Sequence, residues 1–332
     1  MSSSPAIVEV TRGDVVESRH LVDIVIADAS GKIVSIRGDA DRPVFPRSAI
    51  KALQALAMVE SGAPDRFALE PRHIALACAS HYGEEMHVRT AGEMLAASGL
   101  DETCLECGAQ LPERLDDRNR LAREGEAPRS IHNNCSGKHS AFLCYAVEEG
   151  YDPRGYVRIG HKVQQDIAAI LTEVTGARHE EANHGIDGCS IPTYAIPLRN
   201  LATAFARFAA SEDKSRQRAK AMTRIREACL QHPEMVGGTG AFDTRIMEAL
   251  KGRAFTKTGA EGVYVAALPE LAMGVALKVH DGASRASEVA IAASIESLLE
   301  LDENEANALK ELRQPPITNR RDLTVGMIRP RI

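Results

Sequence analysis

The 332-residue chain contains no tryptophan, and aromatic residues make up only 4% of it. Single-stranded nucleic acids and sugars are usually bound by stacking on exposed aromatic side chains. The composition therefore argues against both ligand classes and favours a small polar substrate.

Runs of like charge are missing as well. The 40 basic residues stand against 46 acidic ones, for a net charge of −6, and no five like charges follow one another. A protein that binds nucleic acid normally presents a basic patch to the phosphates. Nucleic acid is therefore not expected as a partner.

Long apolar stretches are also missing. Apolar stretches such as those at 263–268 and 273–277 are far below the roughly 20 residues that a membrane-spanning helix needs, so no membrane association is expected. The first residues, Met-Ser-Ser-Ser-Pro-Ala, lack the basic start and apolar core of an export signal. We therefore expect a cytoplasmic protein whose seven cysteines stay reduced.

Hydrophobic residues make up 44% of the chain, which is enough to fill a core. Alternating patterns predict strands near both ends of the chain, at 7–10, 22–27, 33–36, 262–268, 273–280 and 323–328. Helical spacing predicts helices at 47–59, 84–98, 163–175, 201–231 and 285–299. A short apolar run at 73–80 is interpreted as a further strand.

This order of elements predicts an α/β protein of the α+β type, with one domain that spans residues 1–332. Segments 1–90 and 236–332 are expected to form an antiparallel sheet covered by helices. Segment 91–235 is expected to form a mainly helical lobe. The first and last strands are expected to pair in one sheet.

A serine and a lysine stand three residues apart in Arg47-Ser48-Ala-Ile-Lys51. On a helix this spacing places the hydroxyl and the amine on one face, about 5–6 Å apart at Cβ. A buried lysine loses its charge readily, and its neutral amine can take the proton of a serine that attacks a carbonyl. Ser-x-x-Lys also arises by chance, but its position in an otherwise apolar helix favours catalysis.

A second motif, Lys257-Thr-Gly259, lies just before the predicted strand 262–268. Serine β-lactamases and penicillin-binding proteins combine Ser-x-x-Lys with a later Lys-Thr-Gly at the sheet edge. This chain has both motifs in the same order. Gly259 lacks a side chain and would let a substrate lie close to the strand. The alternative is a tripeptide that only forms a turn.

Two glycine-bearing loops each carry a cysteine among polar residues. The loops are His132-Asn-Asn-Cys135-Ser-Gly-Lys138-His139 and His184-Gly-Ile-Asp187-Gly-Cys189-Ser-Ile-Pro192. Two thiols that come together can hold Zn²⁺. The alternative is a pair of small buried side chains, the usual role of free cysteine. Cys104-Leu-Glu-Cys107 has no partner pair and is interpreted as incidental.

Together these segments resemble the asparaginase II family typified by the Rhizobium etli enzymes. The similarity runs from residue 47 to 260 and is carried by Arg47–Lys51, Ala77–His81, Asn134–His139, Asp187–Thr193, His232–Val236 and Lys257–Ala260. Each segment is weak by itself, whereas the combination is specific.

The resemblance implies a fold like that of glutaminases and serine β-lactamases, and hydrolysis of L-asparagine to L-aspartate and ammonia. It implies two Ser-Lys pairs, Ser48 with Lys51 and Ser80 with Lys257. From the residues alone, Ser80 is either a second nucleophile or a turn hydroxyl. We expect Ser48 to attack the amide while Lys51 accepts its proton.

The resemblance also implies a homodimer and a Zn²⁺ site, whose ligands would be Cys135, Lys138 and Cys189. Asp187 is a candidate for binding the substrate ammonium group. The weaker candidates for the substrate pocket are Arg47, His139 and Gly238.

Three alternative functions share some of these features. Glutaminase acts on a substrate that is longer by one methylene, which a pocket discriminates by only about 1–3 kcal/mol. A β-lactamase or penicillin-binding enzyme shares both motifs, but Ser-Asp-Asn and an export signal are missing. A zinc-binding structural protein or an asparagine sensor without activity is disfavoured because the chain has no recognisable regulatory or DNA-binding appendage.

Overall fold

The computed structural model describes residues 3–332, which form two compact units. The first unit comprises the chain up to Ala49 together with Ile196–Glu212 and Arg245–Ile332, and the second comprises Ile50–Ala195 and Asp213–Thr244. Residues 50–90, expected with the sheet, thus belong to the second unit, and 196–212, expected with the helical lobe, belong to the first.

The strands agree with the predicted antiparallel sheet. In chain order they are β1 (Ala6–Arg12), β2 (Val15–Asp28), β3 (Ile33–Arg37), β4 (Pro43–Val44), β5 (His184–Ile186), β6 (Pro192–Tyr194), β7 (Ile196–Pro197), β8 (Phe255–Thr258), β9 (Val263–Leu268), β10 (Met273–Val279), β11 (Pro316–Thr318) and β12 (Thr324–Arg331). The main sheet of the first unit has the order β11-β12-β1-β2-β10-β9-β8, with β3 also paired to β2. The six strands predicted near the two ends of the chain are confirmed.

The first and last strands pair as expected, with Ile7 opposite Arg331 and Val10 opposite Ile328. The centre of the sheet joins β2 to β10, where Ile24 lies opposite Leu277. All pairings in this sheet are antiparallel. The strands that form its middle come from opposite ends of the chain.

The α-helices are, in chain order, α1 (Lys51–Gln54), α2 (Leu56–Ser61), α3 (Ala63–Arg66), α4 (Pro71–Ala77), α5 (Glu85–Ala97), α6 (Leu115–Glu124), α7 (Ser136–Glu148), α8 (Lys162–Thr175), α9 (Leu198–Ala210), α10 (Arg216–Gln231), α11 (Pro233–Val236), α12 (Phe242–Ala249), α13 (Ser284–Glu296) and α14 (Glu303–Arg313). Within the described residues, no helix is long and apolar enough to cross a membrane.

Helices α9 and α13 cover the sheet of the first unit. Every residue of β9 is buried, so both of its faces are covered, and both helices contact β9 and β10. On the α9 side, the ring of Phe205 stacks on that of Phe255 with 6.2 Å between centroids. Gly274 of β10 lies against the backbone of α9, where a Cβ atom would collide with Ala202 and Ala206. The predicted sheet covered by helices is confirmed.

The second unit is built mainly from helices. Helix α7 is buried from Ser136 to Ala146 and packs against α2, α4 and α5. Helix α10 is tied to α2 by the guanidinium of Arg218, which donates to both carboxylate oxygens of Glu60 at 2.7 and 3.1 Å. This bidentate ion pair is largely enclosed, so it is screened less than a surface pair.

Two predicted elements differ from the structure. The run 73–80 is not a strand, because α4 occupies Pro71–Ala77. Pro71 stands in the first turn, where its missing N–H costs nothing, and the Glu70 N–H donates to His73 Nδ1 at 2.9 Å. The continuous helix predicted at 201–231 breaks at Ser211, whose φ of 53° is left-handed, so α9 and α10 are separate helices.

Candidate active site

The amine of Lys51 lies in the interior of the second unit. Lys51 is 1% exposed at the start of α1. Its Nζ atom donates to Ala79 O at 2.5 Å and to the Oγ atom of Ser80 at 3.0 Å. An amine held against a serine hydroxyl in this way is placed to exchange a proton with it.

Ser80 follows α4 and is half-buried. Its backbone N–H donates to Val236 O at 2.9 Å, and the next N–H, of His81, donates to Asn134 O at 3.2 Å. These bonds fix the serine between the end of α11 and the loop at Asn134. The pairing differs from the one that the resemblance implied, because the amine bonded to Ser80 is that of Lys51.

The imidazole of His81 links the Ser80 segment to helix α7. Its Nδ1 accepts the Gly83 N–H at 3.0 Å, so the ring hydrogen is on Nε2, which donates to Ser136 Oγ at 3.0 Å. The ring also stacks on His87, with 4.7 Å between centroids. His81 is 1% exposed, so this link is enclosed.

Gly137 lets α7 approach α4 closely. A Cβ atom at this position would stand 2.5 Å from Leu76 Cγ and even closer to the Leu76 carbonyl oxygen. Only glycine fits such a gap. The contact brings the start of α7, with Cys135 and Lys138, against the helix that leads into Ser80.

Cys135, Lys138 and Cys189 come together in the second unit, as the resemblance implied. They are 5%, 1% and 4% exposed, and Lys138 Nζ lies 3.0 Å from Cys189 Sγ. The Cys189 S–H donates to the Cys135 sulfur. This hydrogen bond and the Lys138 ammonium hold the pKa of the Cys135 thiol well below its ordinary value, although burial acts to raise it.

The three side chains fit a zinc ion in their chemistry. Protein zinc sites use thiolate sulfur and nitrogen donors, and here two sulfurs and one nitrogen converge. In the part of the chain that the structure describes, no three His, Cys, Asp or Glu side chains are arranged so that they could hold a metal ion by themselves. The third protein donor would therefore be the amine of Lys138, which must lose its proton to bind a metal.

Asp187 lies in the same cluster. Its Oδ2 atom is 3.8 Å from the Sγ of Cys189, and its backbone N–H donates to Ile191 O at 2.8 Å. The turn between them contains Ser190 at a left-handed φ of 75°, a conformation that costs free energy outside glycine. This tight turn holds the carboxylate next to the thiols.

His139 and Gly238 also belong to the second unit. His139 is fully buried, and burial together with the nearby side chains of Lys138 and Lys51 holds its pKa well below the ordinary value. Gly238 has a φ of 112°, and a Cβ atom there would lie 2.8 Å from the ring of Tyr82. Gly238 therefore lets the 237–240 loop pack on that ring.

The other predicted residues, Arg47, Ser48 and Lys257, lie in the first unit. Arg47 has a left-handed φ of 52°, and backbone strain of this kind clusters at functional sites. Ser48 follows it in the 3₁₀ turn Arg47–Ile50 and is half-buried. Lys257 is fully buried on β8, with its Nζ donating to Thr258 O at 3.1 Å.

Gly259, just after β8, has a different role from the predicted one. A Cβ atom there would stand 2.6 Å from Pro46 O and 3.1 Å from Ala49 Cβ. The missing side chain therefore admits the turn that carries Ser48, not the substrate. The Lys257-Thr-Gly259 motif and the Ser48 turn are consequently in contact within the first unit.

Comparison with known families identifies the family of the chain. The chain matches the family model described as L-asparaginase II over residues 8–330. It belongs to the L-asparaginase II family. This asparaginase II chain is accordingly an amidohydrolase that acts on a small molecule. No curated protein sequence matches it significantly.

Solved structures with similarity to this asparaginase II chain include two hydrolases. A β-lactamase from Mycobacterium bovis is similar over 83% of this chain and 94% of its own, at 13% identity and a TM-score of 0.43. A D-alanine carboxypeptidase from Burkholderia cenocepacia is similar over 88% and 92%, at 13% identity and a TM-score of 0.36.

Several supporting residues of this asparaginase II site were not predicted. Asn133 accepts the Cys135 N–H at 2.9 Å, and its amide donates to Cys107 O and Gly108 O, both at 3.0 Å. An asparagine side chain in a turn often accepts the backbone N–H two residues further on. The sequence Asn133-Asn-Cys135 could therefore have predicted this hydrogen bond. Cys107, considered incidental, lies beside this cap, and burial raises the pKa of its thiol to about 12.

Proposed function

We propose that the protein is an L-asparaginase that hydrolyses the side-chain amide of L-asparagine to L-aspartate and ammonia. The observation that carries the proposal is the enclosed amine of Lys51, hydrogen-bonded at 3.0 Å to the hydroxyl of Ser80. Family membership restricts the reaction of such a pair to amide hydrolysis. Lys51 serves as the general base for a serine nucleophile.

The proposed nucleophile is Ser48, which precedes Lys51 by three residues along one continuous helical segment. Its hydroxyl oxygen attacks the amide carbon while Lys51 takes the hydroxyl proton. Lys51 then gives this proton to the departing ammonia, which leaves a β-aspartyl ester for water to hydrolyse. The strained φ of Arg47 supports a functional role for the residue that follows it.

Ser80 and Lys257 complete the proposed catalytic set. Ser80 orients the Lys51 amine through their hydrogen bond and passes protons to and from it. Lys257 is assigned to the second Ser-Lys pair, with Ser80. Its complete burial supports a structural or catalytic role, since lysine is almost never fully buried unless it is paired.

The remaining predicted residues are proposed to bind the substrate. Asp187 carries a half-buried carboxylate suited to the α-ammonium group. Arg47 carries a guanidinium suited to the α-carboxylate. His139 and the loop at Gly238 line the rest of the pocket.

We also propose a Zn²⁺ site held by Cys135, Lys138 and Cys189. When bound, the ion would supply a fixed positive charge that orients polar substrate atoms. The protein is further proposed to work as a cytoplasmic homodimer, as the family resemblance implies. Gel filtration with light scattering tests the dimer directly.

A coupled ammonia assay with L-asparagine, L-glutamine and nitrocefin tests the function. The expected result is ammonia release from asparagine at a rate well above that from glutamine, and no nitrocefin hydrolysis. Nitrocefin turnover without ammonia release from asparagine would replace the proposal with a β-lactamase function. Faster glutamine turnover would assign a glutaminase.

Serine variants test the nucleophile. Ser48→Ala is expected to abolish turnover and the β-aspartyl ester seen by mass spectrometry after acid quench, whereas Ser80→Ala should retain a reduced rate. Ser98→Ala is the matched control, because its hydroxyl donates to carbonyls at the end of α5 and contacts none of the proposed catalytic residues. Normal turnover in Ser48→Ala with none in Ser80→Ala would reverse the assignment.

A further inference from the structure

Tyr156 and His139 form a buried pair whose hydrogen-bond direction is determined by its surroundings. Both side chains are 0% exposed. The Tyr156 hydroxyl accepts the Glu106 N–H at 3.0 Å and lies 2.6 Å from His139 Nδ1. Within the described residues, His139 Nδ1 is the one acceptor available to the phenol hydrogen, so Tyr156 donates and Nδ1 accepts.

This direction assigns the tautomer of His139. Because Nδ1 accepts a hydrogen bond, it carries no hydrogen, and the neutral ring carries its hydrogen on Nε2. The Nε2 atom is buried and has no hydrogen-bond partner in the part of the chain described. Burying a hydrogen-bond donor without an acceptor is unfavourable, so the fold keeps this donor at a cost in stability.

The unpartnered donor lies in the proposed active site. The His139 N–H donates to Cys135 O at 3.0 Å, so His139 stands one helical turn after Cys135, directly after Lys138. The ring is seated on Phe142 and on Tyr156, with centroids 6.1 and 5.4 Å away. These contacts leave the ring little freedom to rotate.

Tyr156 is itself held rigidly. Its backbone oxygen accepts the side-chain amide of Gln164 at 2.9 Å. The Glu106 residue that donates to its hydroxyl is anchored in turn, because its Oε1 accepts the Gly155 N–H at 2.6 Å. The phenol oxygen is therefore a fixed point against which the imidazole is oriented.

We infer that Tyr156 is a positioning residue that locks His139 in its Nε2–H tautomer, so that His139 donates a hydrogen bond to an oxygen atom of the bound substrate. The second clause rests on the proposed function, whereas the tautomer does not. With no lone pair on Nε2, His139 is a donor in this site and not its general base.

The tautomer is tested by ¹⁵N NMR of the full chain with labelled histidine and no substrate, with the His139 signals assigned by their loss in His139→Gln. The wild type is expected to show Nε2–H at His139, and Tyr156→Phe should shift it toward Nδ1–H. Tyr145→Phe is the matched control on α7, since it loses a hydroxyl bond to Asp166. It should leave the His139 signals unchanged.

Kinetics test the link to the substrate. Tyr156→Phe should lower kcat/KM for asparagine about 10- to 100-fold, as is usual when the partner that orients a histidine is removed. In a His139→Gln background the same change should cost less than about twofold, because Tyr156 acts through His139.

An Nδ1–H tautomer in the wild type, or an equal kinetic loss in both backgrounds, would overturn the inference. A wild type that shows the Nε2–H tautomer but releases no ammonia would instead support the role of Tyr156 and refute the proposed function with its substrate contact. The two failures are therefore distinguishable.

Discussion

The Nζ atom of Lys51 lies 3.0 Å from the Oγ atom of Ser80, although 29 positions separate the two residues in the chain. Lys51 begins one helix and Ser80 follows the end of another, so their contact depends on how α1 and α4 pack. The amine is enclosed together with the Ala79 carbonyl, its second acceptor. The Ala79 and Ser80 acceptors are adjacent residues of one short loop.

Replacement of Lys51 by methionine is expected to reduce kcat by about 10²- to 10⁴-fold, the contribution usual for a general base. Methionine has a similar volume, so the fold should persist. Lys278→Met is the matched control, because that amine also donates to a backbone carbonyl, Glu261 O, at 2.7 Å. Ammonia release and circular dichroism measure both effects, and an active Lys51→Met would exclude this lysine as the base.

Cysteine variants should separate metal binding from folding. Cys189→Ser is expected to remove zinc from the purified chain, because serine is a poor ligand for this ion compared with a thiolate. Cys229→Ser replaces a thiol that is also buried, in α10, and should keep the metal. Elemental analysis by mass spectrometry gives the zinc content per chain. Equal zinc in the two variants would contradict the proposed ligand set.

Gly137→Ala should push α7 away from α4, since its Cβ would stand 2.5 Å from Leu76 Cγ. The expected cost is about 1–3 kcal/mol of unfolding free energy, together with a loss of activity. Gly160→Ala is the control, because nothing lies within 4 Å of its Cβ position, and its stability should change by less than about 0.5 kcal/mol. Urea unfolding and the ammonia assay are the measurements.

The stability of the second unit should depend on pH through His87. Burial lowers the pKa of its imidazole, and the Glu234 carbonyl and the carboxylates of Glu84, Glu234 and Asp117 offset this only in part. The folded chain therefore binds fewer protons than the unfolded chain below the ordinary pKa of about 6.5. Stability is consequently lost as the pH falls through this value.

Urea unfolding at pH 7.5 and 5.5 checks this expectation. The free energy of unfolding should be lower at pH 5.5, and the difference between the two pH values should shrink in His87→Gln, which cannot titrate. The contribution of one group is at most about 1.4 kcal/mol per pH unit. An unchanged pH difference in the variant would show that His87 is not the group responsible.

Six strands of the main sheet were predictable because they alternate or are mostly apolar over four or more residues, whereas the short β8 and β11 were not. The pattern at 73–80 was too short to distinguish a strand from a helix. Only the local signal at Pro71, a residue suited to a first helical turn, indicates α4. Similarly, no glycine or proline near Ser211 indicates that α9 ends there.

For the candidate site, the sequence indicated which polar residues are buried together, but not which serine contacts Lys51. The loops of Cys135 and Cys189 pointed to a thiol cluster, and the apolar surroundings of Lys51 indicated its burial. Which serine meets Lys51 depends on packing between segments that are distant in sequence, and no spacing rule encodes it. The partner of His139, Tyr156, lies 17 residues away in a segment without a recognisable motif.

The pairing of β2 with β10 and of β1 with β12 has a consequence for synthesis on the ribosome. The opening hairpin must wait for nearly the whole polypeptide to emerge before its neighbours in the sheet exist. Such distant partners slow folding and leave strand edges exposed in the meantime. Nascent chains halted before residue 273 should therefore depend on chaperones to keep their first two strands from aggregating.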